Sequence, residues 1–174
     1  LTDMEKQQDK IEVLDLCCGS GCIGISLKLY HKQIGLSLLD ISEDALTVTR
    51  RNLDQYGLDA TVQQGNLLEN ITDKYDMIVS NPPYIESHVI GTLMPEVREY
   101  EPMLALDGGE DGLMFYRSIV QQAVSHLKEH GWLFFEIGYN QGDTVAALMK
   151  EHGFSEVQVV KDYAGLDRVV YGHL

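Results

Sequence analysis

Asn81-Pro82-Pro83-Tyr84 joins two fixed backbone positions to a neutral side-chain acceptor, a combination suited to holding a nitrogen. Two successive prolines fix φ and offer no N–H, so this segment presents its carbonyls as acceptors. The Asn81 side-chain oxygen and the Pro82 carbonyl can each take one hydrogen of a substrate NH2, which turns the nitrogen lone pair toward an electrophile. Pro83 stiffens the platform, and Tyr84 can pack on the flat face of the group being held. An amide or aromatic amine is a poor nucleophile because its lone pair is delocalised, so orientation counts for more than a strong base. No His or Cys nucleophile is required. A lone Asn-Pro pair commonly does no more than begin a turn. Its weight here comes from following an apolar, strand-like run and from a second constellation upstream.

That constellation is Asp15-Leu16-Cys17-Cys18-Gly19-Ser20-Gly21-Cys22-Ile23-Gly24. Gly19 and Gly21 permit a tight turn and let backbone N–H groups come close to a ligand. Asp40 stands 25 residues beyond Asp15, at the end of the next apolar run, where a carboxylate can accept both hydroxyls of a ribose. A nucleoside cofactor is implied. Gly19, Gly21 and Gly24 also match the dinucleotide spacing, but Asp15 beside the turn would repel a pyrophosphate and suits a cation such as the amino group of a methionine moiety. The methyl-donor reading is preferred on that ground.

Both constellations need strands to carry them. Ile11 to Leu16 reads as a strand and Ile23 to Tyr30 as a helix; Ile34 to Leu39 is a second strand closed by Asp40. Ser42 can cap a helix with Glu43 and Asp44 in its first turn, running to Tyr56 with Gly57 as its stop. Ala60 to Gln64 and Tyr75 to Ser80 are further strands, the latter delivering Asn81. From Asn81 to about Asp111 runs a long segment holding all four prolines, and such long loops are usually functional. Leu113 to His130 reads as a helix, Trp132 to Ile137 as a strand and Asp143 to His152 as a helix stopped by Gly153. Phe154 to Val160 and Arg168 to Tyr171 are closing strands. Strands alternating with helices predict an α/β fold, a mostly parallel Rossmann-like sheet with helices on both faces, as one domain over residues 1–174.

Composition bounds the function. The 174 residues carry 13 Lys+Arg against 27 Asp+Glu, a formal charge of −14 that disfavours bulk nucleic-acid binding. No apolar run approaches the ~20 residues that span a bilayer, and Thr2 to Lys10 has no signal-peptide pattern. Cys17, Cys18 and Cys22 lie too close together for ordinary disulfides, which points to a reducing compartment, the cytoplasm.

With these motifs in hand, the chain resembles the class I S-adenosylmethionine-dependent methyltransferases that act on NH2 groups, and among them the release factor glutamine methyltransferases. The finer match rests on Tyr100-Glu101-Pro102-Met103-Leu104-Ala105-Leu106-Asp107-Gly108-Gly109-Glu110-Asp111-Gly112-Leu113 and on Lys161-Asp162-Tyr163-Ala164-Gly165-Leu166-Asp167-Arg168-Val169-Val170. The resemblance implies a seven-stranded sheet with an antiparallel last strand. It also implies N5-methylation of the Gln in the Gly-Gly-Gln motif of peptide chain release factors, with S-adenosyl-L-methionine consumed and S-adenosyl-L-homocysteine released. By position, Asp15 and the loop Cys17, Cys18, Gly19, Ser20, Gly21 would meet the methionine side. Asp40 with Ile41 would meet the ribose, Asn66 with Leu67 the adenine, and Asn81 both the cofactor edge and the substrate. Asn81, Pro82, Pro83 and Tyr84 would receive the glutamine.

Three departures stand out. Cys17 replaces the usual first glycine of the loop, so that position must tolerate a side chain, and Gly65-Asn66 replaces a commoner Asp-aromatic pair. Family members also carry an N-terminal helical domain that helps hold the release factor, whereas this sequence starts just before its first strand and without Met. It is therefore expected to be a fragment in which cofactor binding survives while activity on the protein substrate need not.

Other clusters are better explained without a site. The three cysteines have no fourth metal ligand nearby, and His126 and His130 suit a helix C-terminus better than a metal. Glu101, Asp107, Glu110 and Asp111 fit either a cation site or a solvated loop that caps the next helix. Arg98 and Arg168 could meet an acidic substrate or offset nearby carboxylates. The same turn and Asn-Pro-Pro-aromatic loop would also serve adenine-N6 or guanine-N2 methylation of DNA or RNA. A non-catalytic S-adenosylmethionine-binding domain is the remaining alternative, against which stand Asn81 and Asp40.

Overall fold

The computed structural model describes residues 1 and 10–174. The first half runs β1 Glu12–Leu16, α1 Cys22–Tyr30, β2 Gly35–Asp40, α2 Glu43–Tyr56, β3 Thr61–Gln64 and β4 Tyr75–Ser80. The second half runs α3 Pro95–Arg98, α4 Met103–Leu106, α5 Met114–His126, β5 Leu127–Glu136, α6 Gly142–Glu151, β6 Ser155–Lys161 and β7 Asp167–His173. The second helix shows why the sequence was readable here. The Ser42 hydroxyl accepts the Ala45 N–H, Glu43 and Asp44 meet the positive end of the helix dipole, and Gly57 ends the helix at φ 61°.

Most boundaries shift by one or two residues from the sequence expectation, and the junction of α5 with β5 shifts by four or five. The helix predicted to reach His130 ends at His126, and Leu127 instead pairs with Tyr75 in the sheet. The His126 ring sits against the Gln122 and Ile71 carbonyls, while His130 takes φ 62° at an irregularity between the two β4 pairings at Tyr75 and Met77. Leu127 is buried either way, so periodicity alone could not separate a last helical turn from an early strand. The long segment after Asn81 is also not structureless: it holds a 3-10 turn at Ile90–Thr92 and two single-turn helices.

The seven strands form one sheet in the order β3-β2-β1-β4-β5-β7-β6. The first five are parallel, and β7 runs antiparallel to both neighbours. Chain order reverses between β1 and β4, which opens a crevice at the carboxyl ends of these strands. Register brings Leu16 beside Leu39 and Ser80, and Asp40 beside Gln64, so the turns that follow four strands meet at one edge. Two apolar layers hold the sheet in place. One, around Leu38, Leu46 and Leu53, lies under α1 and α2; the other, around Tyr116, Ile119 and Phe135, lies under α5 and α6. Strand β4 is buried along its whole length, as its continuous apolar run requires. No helix among the described residues is long and apolar enough to cross a membrane.

Candidate active site

The turn after β1 is fastened to β2 through backbone groups and carboxylates. The Cys18 N–H donates to the Leu39 carbonyl at 3.0 Å. Asp40 accepts the Gly19 N–H at 2.8 Å on one oxygen and the Ser42 N–H at 2.9 Å on the other. A carboxylate has about four acceptor positions, so two remain for hydroxyl donors. Thr49 and Asn52 on α2 donate to the Gly19 and Ser20 carbonyls, each at 2.8 Å. Cys17, Gly19 and Gly21 all lie in the left-handed region. For Cys17, at φ 59°, this is a strained conformation worth about 1–2 kcal/mol, in the position where the sequence departs from glycine.

Asp15 is the chemically distinctive member. It is 1% exposed, and one of its oxygens accepts the Gly24 N–H at 2.8 Å. Its other oxygen, Oδ1, is buried without a partner among the described residues. Burial raises its pKa from 3.8 to about 7; the Gly24 bond opposes that rise and the charge of Asp40 adds to it. An unpartnered carboxylate oxygen at the wall of a cleft is what a cationic ligand group would satisfy. The neighbouring thiols are poor reactants. Burial, then the charge of Asp40, pushes Cys17 up to about 12, and burial, then Asp15, does the same for Cys18.

These groups open into a cleft of about 660 Å³, within the usual range for a small-molecule site. Of the residues singled out in the sequence, Asp15, Cys17, Cys18, Gly19, Ser20, Asp40, Ile41, Asn66, Leu67, Asn81 and Pro83 line it. Gly21, Pro82 and Tyr84 are not part of its lining. The far wall comes from residues not anticipated: Leu104 and Ala105 of α4, and Met114, Phe115 and Gln122 of α5.

Asn81 follows directly from β4. The Ser80 hydroxyl donates to the Leu16 carbonyl at 2.7 Å, locking the ends of β4 and β1 together just before it. The Asn81 side chain is exposed and makes no hydrogen bond among the described residues. Pro82 is buried, and its carbonyl likewise accepts no bond among them. Tyr84 packs against the α5–α6 core, and the charges of Glu136 and Arg168 act on its hydroxyl. Burial, then the charge of Glu136, raises its pKa, so it is a neutral phenol and not a base.

The loop after Asn81 is held by the segment around Asp107. Ile85 N–H donates to the Leu106 carbonyl at 3.0 Å, Gly108 N–H to the Ile85 carbonyl at 2.8 Å and Ser87 N–H to the Gly109 carbonyl at 2.9 Å. Asp107 accepts the Ser87 hydroxyl at 2.6 Å, and Asp111 accepts the Leu113 N–H before α5 and pairs with Arg117. The carboxylates of this segment that are engaged thus fasten and cap the loop. Gly108 and Gly112 are there because of crowding. A Cβ at 108 would stand 2.7 Å from the Tyr84 Cα; one at 112 would run into the Tyr84 carbonyl oxygen, on a backbone at φ 69°.

Gln141 is the fastener that sequence reasoning missed. It is 7% exposed, donates to the Tyr84 carbonyl at 3.1 Å and the Gly112 carbonyl at 3.2 Å, and accepts the Gly138 N–H at 2.9 Å. In the sequence it is only a polar residue before a helix. Arg168, left open above, is assigned: it donates to the Ile137 carbonyl and pairs with Asp162. Arg98 pairs with Glu99 at the surface.

Residues 1–96, more than half of the chain, match the family described as Methyltransferase small domain. The chain belongs to that family. A release factor glutamine methyltransferase of Geobacter sulfurreducens is 44% identical over 165 residues, covering 93% of this chain and 57% of that protein. The chain thus spans less than two thirds of the length of this relative. Among solved structures, a methyltransferase from Pyrococcus furiosus superposes with a TM-score of 0.72 at 14% identity, covering 99% of this chain and 80% of that one. A T. thermophilus 16S rRNA N2 methyltransferase in complex with AdoMet and guanosine gives 0.63 at 21% identity, over 94% and 37%. These likenesses establish a class I methyltransferase fold.

Proposed function

We propose that this chain is the catalytic part of an S-adenosylmethionine-dependent methyltransferase acting on N5 of the glutamine in the Gly-Gly-Gln motif of peptide chain release factors. The observation that carries the reading is the 44% identity to a release factor glutamine methyltransferase over nearly the whole chain, joined to an Asn81 side chain and a Pro82 carbonyl that have no partners among the described residues beside the cleft. The cleft fits the methyl donor on its own evidence. Asp15 Oδ1 is a buried acceptor lacking a donor among the described residues, and Asp40 keeps two acceptor positions. When bound there, S-adenosylmethionine supplies an electrophilic methyl group.

The chain supplies orientation. Asp15 would meet the cationic amino group, Asp40 a vicinal diol, and the turn from Cys17 to Gly21 the backbone contacts between them. Asn81 Oδ1 and the Pro82 carbonyl would take the two amide hydrogens of the glutamine, directing its nitrogen lone pair into the cleft. Tyr84 and Pro83 keep that acceptor pair rigid. The formal charge of −14 favours a protein over a phosphate backbone as the substrate. The deciding experiment incubates a release factor with the full-length enzyme and S-adenosylmethionine and weighs the tryptic peptide that contains Gly-Gly-Gln. A gain of one methylene, lost when glutamine is replaced, supports the reading; labelled methyl on DNA or RNA but not on the release factor overturns it.

A further inference from the structure

We propose that Glu69 is a positioning residue that fixes Asn66 as a hydrogen-bond acceptor and thereby makes the base end of the cleft selective for a 6-aminopurine. The inference rests on the cofactor reading above and concerns how this chain, with Gly65-Asn66 after β3, recognises the nucleobase.

The residues after β3 form a built turn. The Gly65 N–H donates to the Asp40 carbonyl at 3.0 Å, and the Glu69 N–H donates to the Asn66 carbonyl at 3.2 Å. Leu67 within the turn is buried and sits at φ 51°, a left-handed conformation that a leucine rarely adopts. Gln122 of α5 secures the other side by accepting the Leu68 N–H at 2.9 Å. Asn66 and Glu69 both line the cleft, and their side chains meet: Asn66 Nδ2 donates to Glu69 Oε1 at 3.0 Å.

That one bond decides which way the amide faces. An ionised carboxylate can only accept, so the Asn66 nitrogen must turn to Glu69, and Oδ1, which accepts no bond among the described residues, is left as the acceptor for a ligand. Along the sheet edge the order is β1 with Asp15, β2 with Asp40, β3 with Asn66. A ligand with its cation at the first and its diol at the second leaves its base for the third. An acceptor there complements the 6-amino group of adenine and repels the 6-oxo group of hypoxanthine. Without Glu69 the amide is free to turn over and donate to that oxo group.

The test is calorimetric binding of S-adenosyl-L-homocysteine and S-inosyl-L-homocysteine to wild type, to Glu69→Ala and to the double variant Asn66→Asp with Glu69→Ala. Wild type should prefer the adenosyl ligand. Glu69→Ala should shrink that preference by roughly tenfold, chiefly through tighter binding of the inosyl ligand. The double variant should restore it, because an aspartate cannot donate whatever its neighbour. Mere loosening of the turn would weaken both ligands together and leave the ratio alone. An unchanged ratio in Glu69→Ala, or no recovery in the double variant, overturns the proposal while leaving the cofactor site intact. Wild type that binds neither ligand overturns the cofactor reading and this inference with it.

Discussion

The two sides of the cleft are fastened on different plans. On the proposed cofactor side, the bonds that fasten the turn stay within the first third of the chain: Gly24 to Asp15 across 9 residues, Ser42 to Asp40 across 2, Gly19 to Asp40 across 21, and Thr49 and Asn52 to the turn carbonyls across 30 and 32. On the proposed substrate side, the loop from Asn81 to Tyr84 is held from the last third of the chain. Gln141 reaches the Tyr84 carbonyl across 57 residues and the Gly112 carbonyl across 29. The first plan makes a site that assembles with the sheet. The second makes one whose geometry depends on the packing of the last third of the chain, so the two sides should fail separately.

The largest effect expected is at Gly112. Gly112→Ala would place a methyl group against the Tyr84 carbonyl oxygen on a backbone in the left-handed region. Strain and overlap together should destabilise the fold by about 3 kcal/mol, read as a drop in the urea midpoint. In the surviving folded fraction methyl transfer should be lost while S-adenosylmethionine binding persists. Equal loss of both would show that the two sides are one unit.

Asn81→Ala tests the acceptor itself. Transfer to a release factor should fall by about a hundredfold or more with the urea midpoint unchanged, since the side chain is exposed and makes no hydrogen bond among the described residues. Transfer by that variant near the wild-type rate would refute its role.

Gln141→Ala should act more mildly than the glycine change. It leaves the Tyr84 and Gly112 carbonyls without their shared donor, a loss of about 2 kcal/mol. Gln141→Glu, nearly the same in size, should be no better, because it sets an acceptor against two acceptors. Either change should raise KM for the protein substrate with little change in cofactor affinity. A selective loss of cofactor affinity would contradict the division drawn here.

This contrast also explains how much could be read from the sequence. The order of strands and helices, the caps at Ser42 and Gly57 and the turn at Asp15 to Gly24 were legible because propensity, capping and short-range bonding all act within a few residues. Asn81 was legible because prolines fix the backbone wherever they occur. Gln141 was not, since a donor to two carbonyls distant in sequence has no local signature. Gly108 and Gly112 left a visible motif, but its reason, close approach to the Tyr84 backbone, exists only in three dimensions. The α5 boundary was missed because Leu127 is apolar and buried in a strand as it would have been in a helix.

Asp15 sharpens the comparison from the cofactor side through pH. Burial, opposed by the Gly24 bond and reinforced by the charge of Asp40, raises its pKa from 3.8 to about 7. Between these values the folded chain holds a proton that the unfolded chain has released. This residue's contribution to stability therefore falls as pH rises through that window, by at most about 1.4 kcal/mol per pH unit, and is level above it. Asp15→Asn cannot ionise, so the difference between its urea midpoint and that of wild type should grow over the same window in favour of the variant. Cofactor affinity should run the other way. A cationic amino group favours the carboxylate, so wild-type binding of S-adenosylmethionine should strengthen up to about pH 7, and the variant should bind weakly without that rise. None of this should alter the affinity for the protein substrate, because the loop from Asn81 to Tyr84 is fastened by Gln141. A variant whose stability and cofactor binding both track wild type with pH would remove Asp15 from the site and leave the cofactor side without its cation partner.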